Sequence, residues 1–165
     1  MRFLPLIPMV LLLFFASASK TAKASCRGLS KALVVDSQSR RLFLCEDGKA
    51  YRSFPVSIGR KGRGKRRAGD EKTPLGVYSL GVPRASKAGF GTFIDVGYPT
   101  LSQRKKGYTG SAIGIHGPKQ SWRFLGPLSS LVDWTAGCIA LASNREMDVI
   151  AQWVRKQKVK VVSIY

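Results

Sequence analysis

The sequence predicts a mainly-β domain, a sandwich or barrel-like sheet that carries one late helix. Three observations predict it. From Lys31 onward the apolar residues come in short runs separated by turn residues, the pattern of many short strands. Asp47-Gly48, between two such runs, is a strong hairpin signal. Only from Ser143 onward does an apolar pattern repeat at helical spacing. At 165 residues the chain is long enough for one domain with a real core and too short for two comfortable ones.

In chain order, Ala32 to Asp36 is the first strand candidate, Ser37 to Arg40 a polar turn, and Arg41 to Glu46 the returning strand. Tyr51 to Ile58 follows the Asp47-Gly48 turn. Pro55 has no N–H to give a ladder, so this third strand is expected to be an edge or bulged one. Gly59 to Lys72 holds seven basic residues and four glycines in 14 positions, which makes no core element. It reads as a flexible cationic loop, either simply solvated or in contact with a polyanion. No Gly-Lys-Ser/Thr opens an apolar helix there, so it is not a phosphate-cradling loop. Thr73-Pro74-Leu75-Gly76-Val77-Tyr78 ends the loop and opens another strand, the proline fixing one torsion and the glycine freeing another.

Further strands are expected at Gly91 to Val96 and Ser111 to His116, joined by polar, glycine-bearing connections over 87–91 and 98–110. The segment 117–130 is a loop beside the histidine, with Trp122 and Phe124 as cleft walls or packing residues. Ser143-x-x-Glu146 is a capping box, and Met147, Ile150 and Val154 follow at helical spacing with Trp153 beside them. Lys160 to Tyr165 ends the domain as a terminal strand.

Before the domain lies a leader. Arg2 gives a positive start, Phe3 to Phe15 an apolar run, and Ala16-Ser17-Ala18 a small-residue cleavage site; Ala22-Lys23-Ala24 would also serve. The run is short for a span of about 20 residues and is broken by Pro5 and Pro8, so residues 1–24 are expected to be a signal peptide and short leader. Lys23 stands where lipoproteins carry an aliphatic residue, so Cys26 is not read as a lipid site. Export places the cysteines in an oxidising compartment. Three is an odd number, so one thiol stays free or pairs between molecules. A Cys26–Cys45 bridge is expected, with Cys45 as a plain buried strand residue the alternative. Twenty-eight basic residues against nine acids give +19, a field suited to an acidic polymer or surface; export argues against nucleic acid as the partner.

The chemistry-bearing residues are few. Cys138 lies in Asp133-Trp134-Thr135-Ala136-Gly137-Cys138-Ile139-Ala140-Leu141, and His116, the only histidine, in Ile115-His116-Gly117-Pro118. A thiol and one imidazole are the minimum for a cysteine nucleophile with a general base. A thiol of pKa near 8.5 is only partly ionised at neutral pH, and an imidazole alongside can take its proton. One histidine and one site-type cysteine build no zinc sphere, and no cofactor is expected.

The order Thr-Pro-x-Gly-x-Tyr, then His-Gly, then Thr-x-Gly-Cys-Ile closely resembles the YkuD-type L,D-transpeptidase domain, over roughly Lys31 to Ile164. The resemblance implies a catalytic domain over 31–164 with an L,D-transpeptidase-like sandwich or barrel fold. It implies Cys138 as nucleophile, His116 as base, and the Gly117 carbonyl as the group that orients the imidazole in place of a carboxylate. Backbone N–H groups near Gly137 and Cys138 would stabilise an oxyanion, and small residues at Ala136 and Gly137 would let substrate approach. Thr135 is a hydrogen-bond donor to substrate or a structural hydroxyl; Asp133 and Trp134 are cleft floor or packing and capping residues. Many family members read Ser-His-Gly-Cys-x-Arg, where this chain has Ala136 and Ala140. The missing arginine leaves Arg123, Arg145 or the 60–67 loop to hold substrate carboxylates.

The implied reaction is acyl transfer on peptidoglycan stem peptides through a thioester, in the periplasm or cell wall, where anionic wall polymers are a further partner for the basic surface; a monomer is expected. An amine acceptor gives a cross-link or protein attachment, and water a carboxypeptidase or amidase. The alternative from another class is a non-catalytic basic wall-binding module.

Overall fold

The structure, a computed structural model, describes residues 26–121 and 130–165. The expected leader and the cleft walls at Trp122 and Phe124 lie outside them. The described residues form one mixed nine-stranded sheet in the order β4-β9-β1-β2-β3-β8-β7-β6-β5. In the chain these are β1 (Lys31–Asp36), β2 (Arg41–Glu46), β3 (Lys49–Ser57), β4 (Gly76–Ser79), β5 (Arg84–Ala85), β6 (Thr92–Asp95), β7 (Gly114–His116), β8 (Ile139–Leu141) and β9 (Val161–Ile164). Two helices complete the described part, α1 (Leu101–Lys105) and α2 (Asn144–Gln157). The protein is mainly β, as its turn punctuation predicts.

Local chemistry explains the first three strands. The Asp36 carboxylate accepts the N–H groups of Gln38 and Ser39, both at 3.0 Å, and Arg40 turns the chain back with φ +52°. At the next turn Asp47 and Gly48 both take positive φ, the geometry that matches strand twist in a two-residue hairpin. The sheet then departs from simple neighbours. β9 joins β1 in parallel, and β7 joins β8 in parallel with Ile115 opposite Ile139 and His116 opposite Ala140.

The main core lies where Leu33, Val35, Leu42, Leu44, Val56, Ile94, Ile115, Ile139 and Leu141 meet Met147, Ile150 and Val154 of α2. The helix is started by its capping box, with Ser143 accepting from the Glu146 N–H and Glu146 reaching back to the Ser143 N–H. It stops at Lys158 in a left-handed conformation. A second cluster of Cys26, Val34, Phe43 and Cys45 packs together apart from the main core, and a disulfide joins Cys26 to Cys45 with Cα atoms 5.3 Å apart.

Several sequence expectations need correction. The segment 59–72 is not a flexible loop. Asp70 folds it into a built turn, accepting from Arg66 N–H at 2.7 Å, Arg67 N–H at 2.9 Å and the Lys65 ammonium at 2.7 Å. The basic composition hid this, because a single carboxylate can organise three neighbouring donors. The connection 98–110 contains α1, whose Thr100-x-x-Gln103 capping box was readable by the rule that finds Ser143. The short strands β5 and β8 carry too few residues for a period to show. Pro55 does not put β3 at an edge, since β3 lies between β2 and β8. Only Val56 and Ser57 pair with β8, however, so the ladder on that side is not yet formed at Pro55. The pairing steps from Leu44–Arg52 to Cys45–Ala50 and leaves Tyr51 as an extra residue, so β3 is the bulged strand, as the other half of the expectation has it, though the bulge lies at Tyr51 and not at Pro55.

Candidate active site

His116 ends β7, and Cys138 stands one residue before β8. The parallel pairing of those two strands brings together residues 22 apart in the chain, since 138 − 116 = 22. Cys138 rides on a turn held from both neighbouring segments. The Thr135 hydroxyl donates to the Cys138 carbonyl at 2.7 Å and accepts the Gly137 N–H at 3.0 Å. The Thr73 hydroxyl donates to the Gly137 carbonyl at 3.0 Å and accepts the Gly59 N–H at 2.9 Å. Gly137 has φ +129°, and a Cβ there would sit 2.6 Å from the Lys72 carbonyl, so only glycine fits. The threonine of the Thr-Pro-x-Gly-x-Tyr stretch is thus a brace for the cysteine turn.

His116 is 1% exposed, and its Nδ1 lies 2.6 Å from the Gly117 carbonyl. A carbonyl only accepts, so Nδ1 carries the proton and Nε2 keeps its lone pair. Phe90 stacks on the ring at a centroid distance of 4.1 Å, Phe93 lies at 5.8 Å, and Trp134 meets it edge-on at 5.8 Å. Burial lowers the imidazole pKa, opposed in part by the bond to Gly117. Cys138 is a free thiol, half-buried, 3.5 Å from the Ala112 carbonyl. Burial raises its pKa, while the Gly114 N–H and the Lys65 charge pull it down. Lys65 is itself only 4% exposed and is paired with Asp70.

Two cavities open onto Cys138. The larger, about 600 Å³, is lined by His116, Trp134, Thr135, Ala136, Asp133 and Phe90, with Arg60 and Lys119. The smaller, about 320 Å³, runs along Arg84 to Phe93, with Asp95 and Ala112. Phe90 belongs to both walls and divides them. A still different apolar groove between the β4–β5 connection and the end of α2 does not reach the cysteine.

The structure brings Cys138, His116, Trp134, Thr135 and Ala136 to one cavity and sets Gly117 beside the imidazole. It bears on two further residues of the turn. The Thr135 hydroxyl is already bonded within the turn, so it acts as a structural hydroxyl rather than a substrate donor. The Gly137 N–H is given to Thr135 at 3.0 Å. Arg145 lines neither cavity, and Arg123 lies outside the described residues. Sequence reading passed over Phe90, Lys119 and Arg40, whose guanidinium holds Asp133 at 2.7 Å. No motif marks these residues, because each acts from a separate loop.

Three comparisons bear on this arrangement. Residues 30–162 match the YkuD family, the L,D-transpeptidase catalytic domain. The fold resembles that of the helical cell shape determining protein Pgp2 from Campylobacter jejuni, with a TM-score of 0.66 and 29% identity over 82% of this chain and 46% of that one. It also resembles Bd1075 from Bdellovibrio bacteriovorus, at TM-score 0.58 and 22% identity, over 82% of this chain and 48% of that one. An L,D-transpeptidase from Mycobacterium tuberculosis H37Rv shares the fold at TM-score 0.51 and 16% identity, over 82% and 57%. No curated protein matches the sequence. The chain therefore spans about half the length of the solved structures it resembles. With a family match that covers most of its residues and a fold shared with those structures, the chain belongs to the YkuD family of L,D-transpeptidase catalytic domains.

Proposed function

We propose that this protein is an exported cysteine acyltransferase that acts on peptidoglycan stem peptides. One observation carries the reading: a free Cys138 thiol and a His116 ring with its Nε2 lone pair open line the same solvent-reaching cavity. The sulfur attacks the carbonyl carbon of the bond between the third stem residue and a terminal D-alanine. His116 Nε2 takes the thiol proton as the S–C bond forms. The same proton passes to the leaving nitrogen as the C–N bond breaks, releasing D-alanine and leaving a thioester. With the Gly137 N–H engaged by Thr135, the Cys138 N–H is the donor assigned to the developing oxyanion in this reading. Attack by an acceptor amine then forms the new amide and returns the thiol.

The second cavity favours transfer over hydrolysis, because a peptide acceptor needs room that water does not. Water as acceptor would make the same site a carboxypeptidase, and the products separate the two. A part in cell shape follows by analogy with Pgp2. Residues 1–24 act as the export leader, and 31–164 as the catalytic domain. The Cys26–Cys45 bridge supports an oxidising compartment.

The +19 charge serves localisation on acidic wall polymers. A specific surface supports this: the turn bearing Arg63, Arg66 and Arg67 docks on the segment after α1, through Thr109 N–H to the Arg66 carbonyl at 2.9 Å. The Arg66 guanidinium also lies over the Tyr108 ring, 5.8 Å from its centroid. The test of the catalytic reading is mass analysis of the protein after incubation with sacculus fragments. Wild type is expected to gain the mass of an acylated stem, and Cys138→Ala to gain none. Unchanged turnover in the variant ends the proposal.

A further inference from the structure

We infer that Arg60 and Lys119 form a carboxylate-binding clamp in the larger cavity, which makes that cavity the acyl-donor subsite and the smaller one the acceptor subsite. The inference rests on the reading of the protein as an acyltransferase on stem peptides. Among the described residues, the lining of the larger cavity contains two cations, Arg60 and Lys119, and one acid, Asp133. Asp133 is already consumed. Its carboxylate accepts Arg40 Nη2 at 2.7 Å, Arg40 Nε at 3.2 Å and the Ile58 N–H at 3.1 Å. The charge left facing the cavity is that of the two cations.

Their attachment matters as much as their charge. Arg60 gives its backbone N–H to the Thr135 carbonyl at 2.9 Å, so it is fastened to the turn that presents Cys138. Gly59 pairs with the same threonine, and a Cβ at Gly59 would run into the Glu71 carbonyl, so the approach is held close. The Arg60 guanidinium meets Glu71 through one nitrogen at 3.4 Å, and Glu71 shares its other oxygen with Lys61 at 3.4 Å. That loose pair orients the guanidinium and leaves most of its five N–H donors for a ligand. Lys119 stands three residues beyond His116, on the segment that carries the base. Among the described residues its ammonium has no ion-pair partner. One cation travels with the nucleophile and the other with the base, so an anion gripped by both lies across the reacting pair.

The smaller cavity is different. Its lining holds Arg84, Lys87 and Asp95, and Arg84 binds Asp95 through two nitrogens at 2.8 and 2.9 Å. That pair cancels itself and leaves a single cation, Lys87. A donor stem carries carboxylates beside the bond to be broken, whereas an acceptor must offer an uncharged amine. The more cationic cavity suits the carboxylates of the donor, which leaves the other to the acceptor. The clamp's partner is a carboxylate flanking the scissile amide, either on the terminal D-alanine or on the side chain of the third stem residue.

The experiment is calorimetric binding of synthetic tetrapeptide stems to the Cys138→Ala protein, which removes chemistry from the readout. Three stems are compared: unmodified, amidated on the terminal D-alanine, and amidated on the third-residue side chain. The unmodified stem is expected to bind about tenfold more weakly to Arg60→Gln and to Lys119→Gln, each lacking one charge-assisted contact. One amidated stem is expected to show the same loss on the parent protein, and no further loss on the Arg60→Gln/Lys119→Gln double variant. Which stem behaves so identifies the carboxylate. Equal binding by parent and variants, or an amidation penalty that persists in the double variant, overturns the clamp; so does a failure of every stem to bind. Clamp-dependent binding by a protein whose wild type forms no acyl-enzyme would leave the clamp standing and remove the acyltransferase reading. Both side chains project from the surface, and the melting temperature of each variant shows that the fold is kept.

Discussion

The half of the sheet that contains the disulfide and the half that contains the free thiol are held together by different means. β1, β2 and β3 run for six, six and nine residues and are joined by two tight hairpins. Their inward residues are buried in a regular row, and Cys26–Cys45 ties the start of the domain to β2. β5, β6, β7 and β8 run for only two, four, three and three residues. They are braced instead by single side-chain bonds, such as Thr73 to Gly137 and Thr135 to Cys138, and by close backbone approaches at glycine. The first half spreads its stability over many interchangeable contacts, and the second concentrates position in a few. Loss of one contact in the first half is expected to cost stability, and in the second half geometry.

The largest expected effect comes from Gly137→Ala. The added methyl would lie 2.6 Å from the Lys72 carbonyl, on a residue at φ +129°, so the turn must move and take Cys138 with it. A displacement of about 1 Å at a reacting group costs on the order of a hundredfold in rate. Acyl-enzyme formation, followed by mass, is expected to fall by about that factor while the unfolding midpoint moves comparatively little. Retention of the full rate would show that the site half is as forgiving as the other and would break the comparison.

The converse change is Cys26→Ser with Cys45→Ser. Closing a loop of 19 residues restricts the unfolded chain, and losing that restriction costs about 3 kcal/mol. Denaturant unfolding is expected to show the loss, with the acylation rate per folded molecule unchanged, since neither cysteine lines a cavity at Cys138. A fall in that rate with the fold intact would mean that the two halves are coupled.

The same contrast explains what could be read beforehand. The Asp47-Gly48 turn, the bounds of Arg41–Glu46 and the Ser143 capping box were all local signals, and the structure keeps them. The pairing of His116 with Ala140 was not local: three-residue strands have no period, and their partners are chosen by topology. In the site half the motif residues were visible as motifs, whereas their braces were not. Thr73 looked like a strand opener, and its hydroxyl proves to hold the cysteine turn. Asp70 was one acid in a basic run, and it folds that run. Arg60 and Lys119 were two among 28 basic residues, and only the folded chain separates them from the rest.

A smaller effect sharpens the comparison inside the site half, between the two reacting side chains. Burial moves both toward their neutral forms, lowering the pKa of His116 and raising that of Cys138. Both shifts favour a resting thiol and a neutral imidazole, with the proton moving as the sulfur attacks. The signs follow for each group. As pH falls, the unfolded chain protonates its histidine first, near 6.5, so His116 withdraws stability from the fold below that pH. The acid limb of acylation is expected below the ordinary histidine value for the same reason. As pH rises, ionisation of Cys138 is delayed past the ordinary thiol range, so alkylation by iodoacetamide at pH 7 is expected to be slower than for a free peptide thiol and to climb steadily with pH. A fast alkylation plateau between pH 6 and 7, lost in His116→Gln, would instead mean a standing thiolate–imidazolium pair. The aromatic walls at Phe90, Phe93 and Trp134 would then be stabilising a charged ring rather than keeping a neutral one dry.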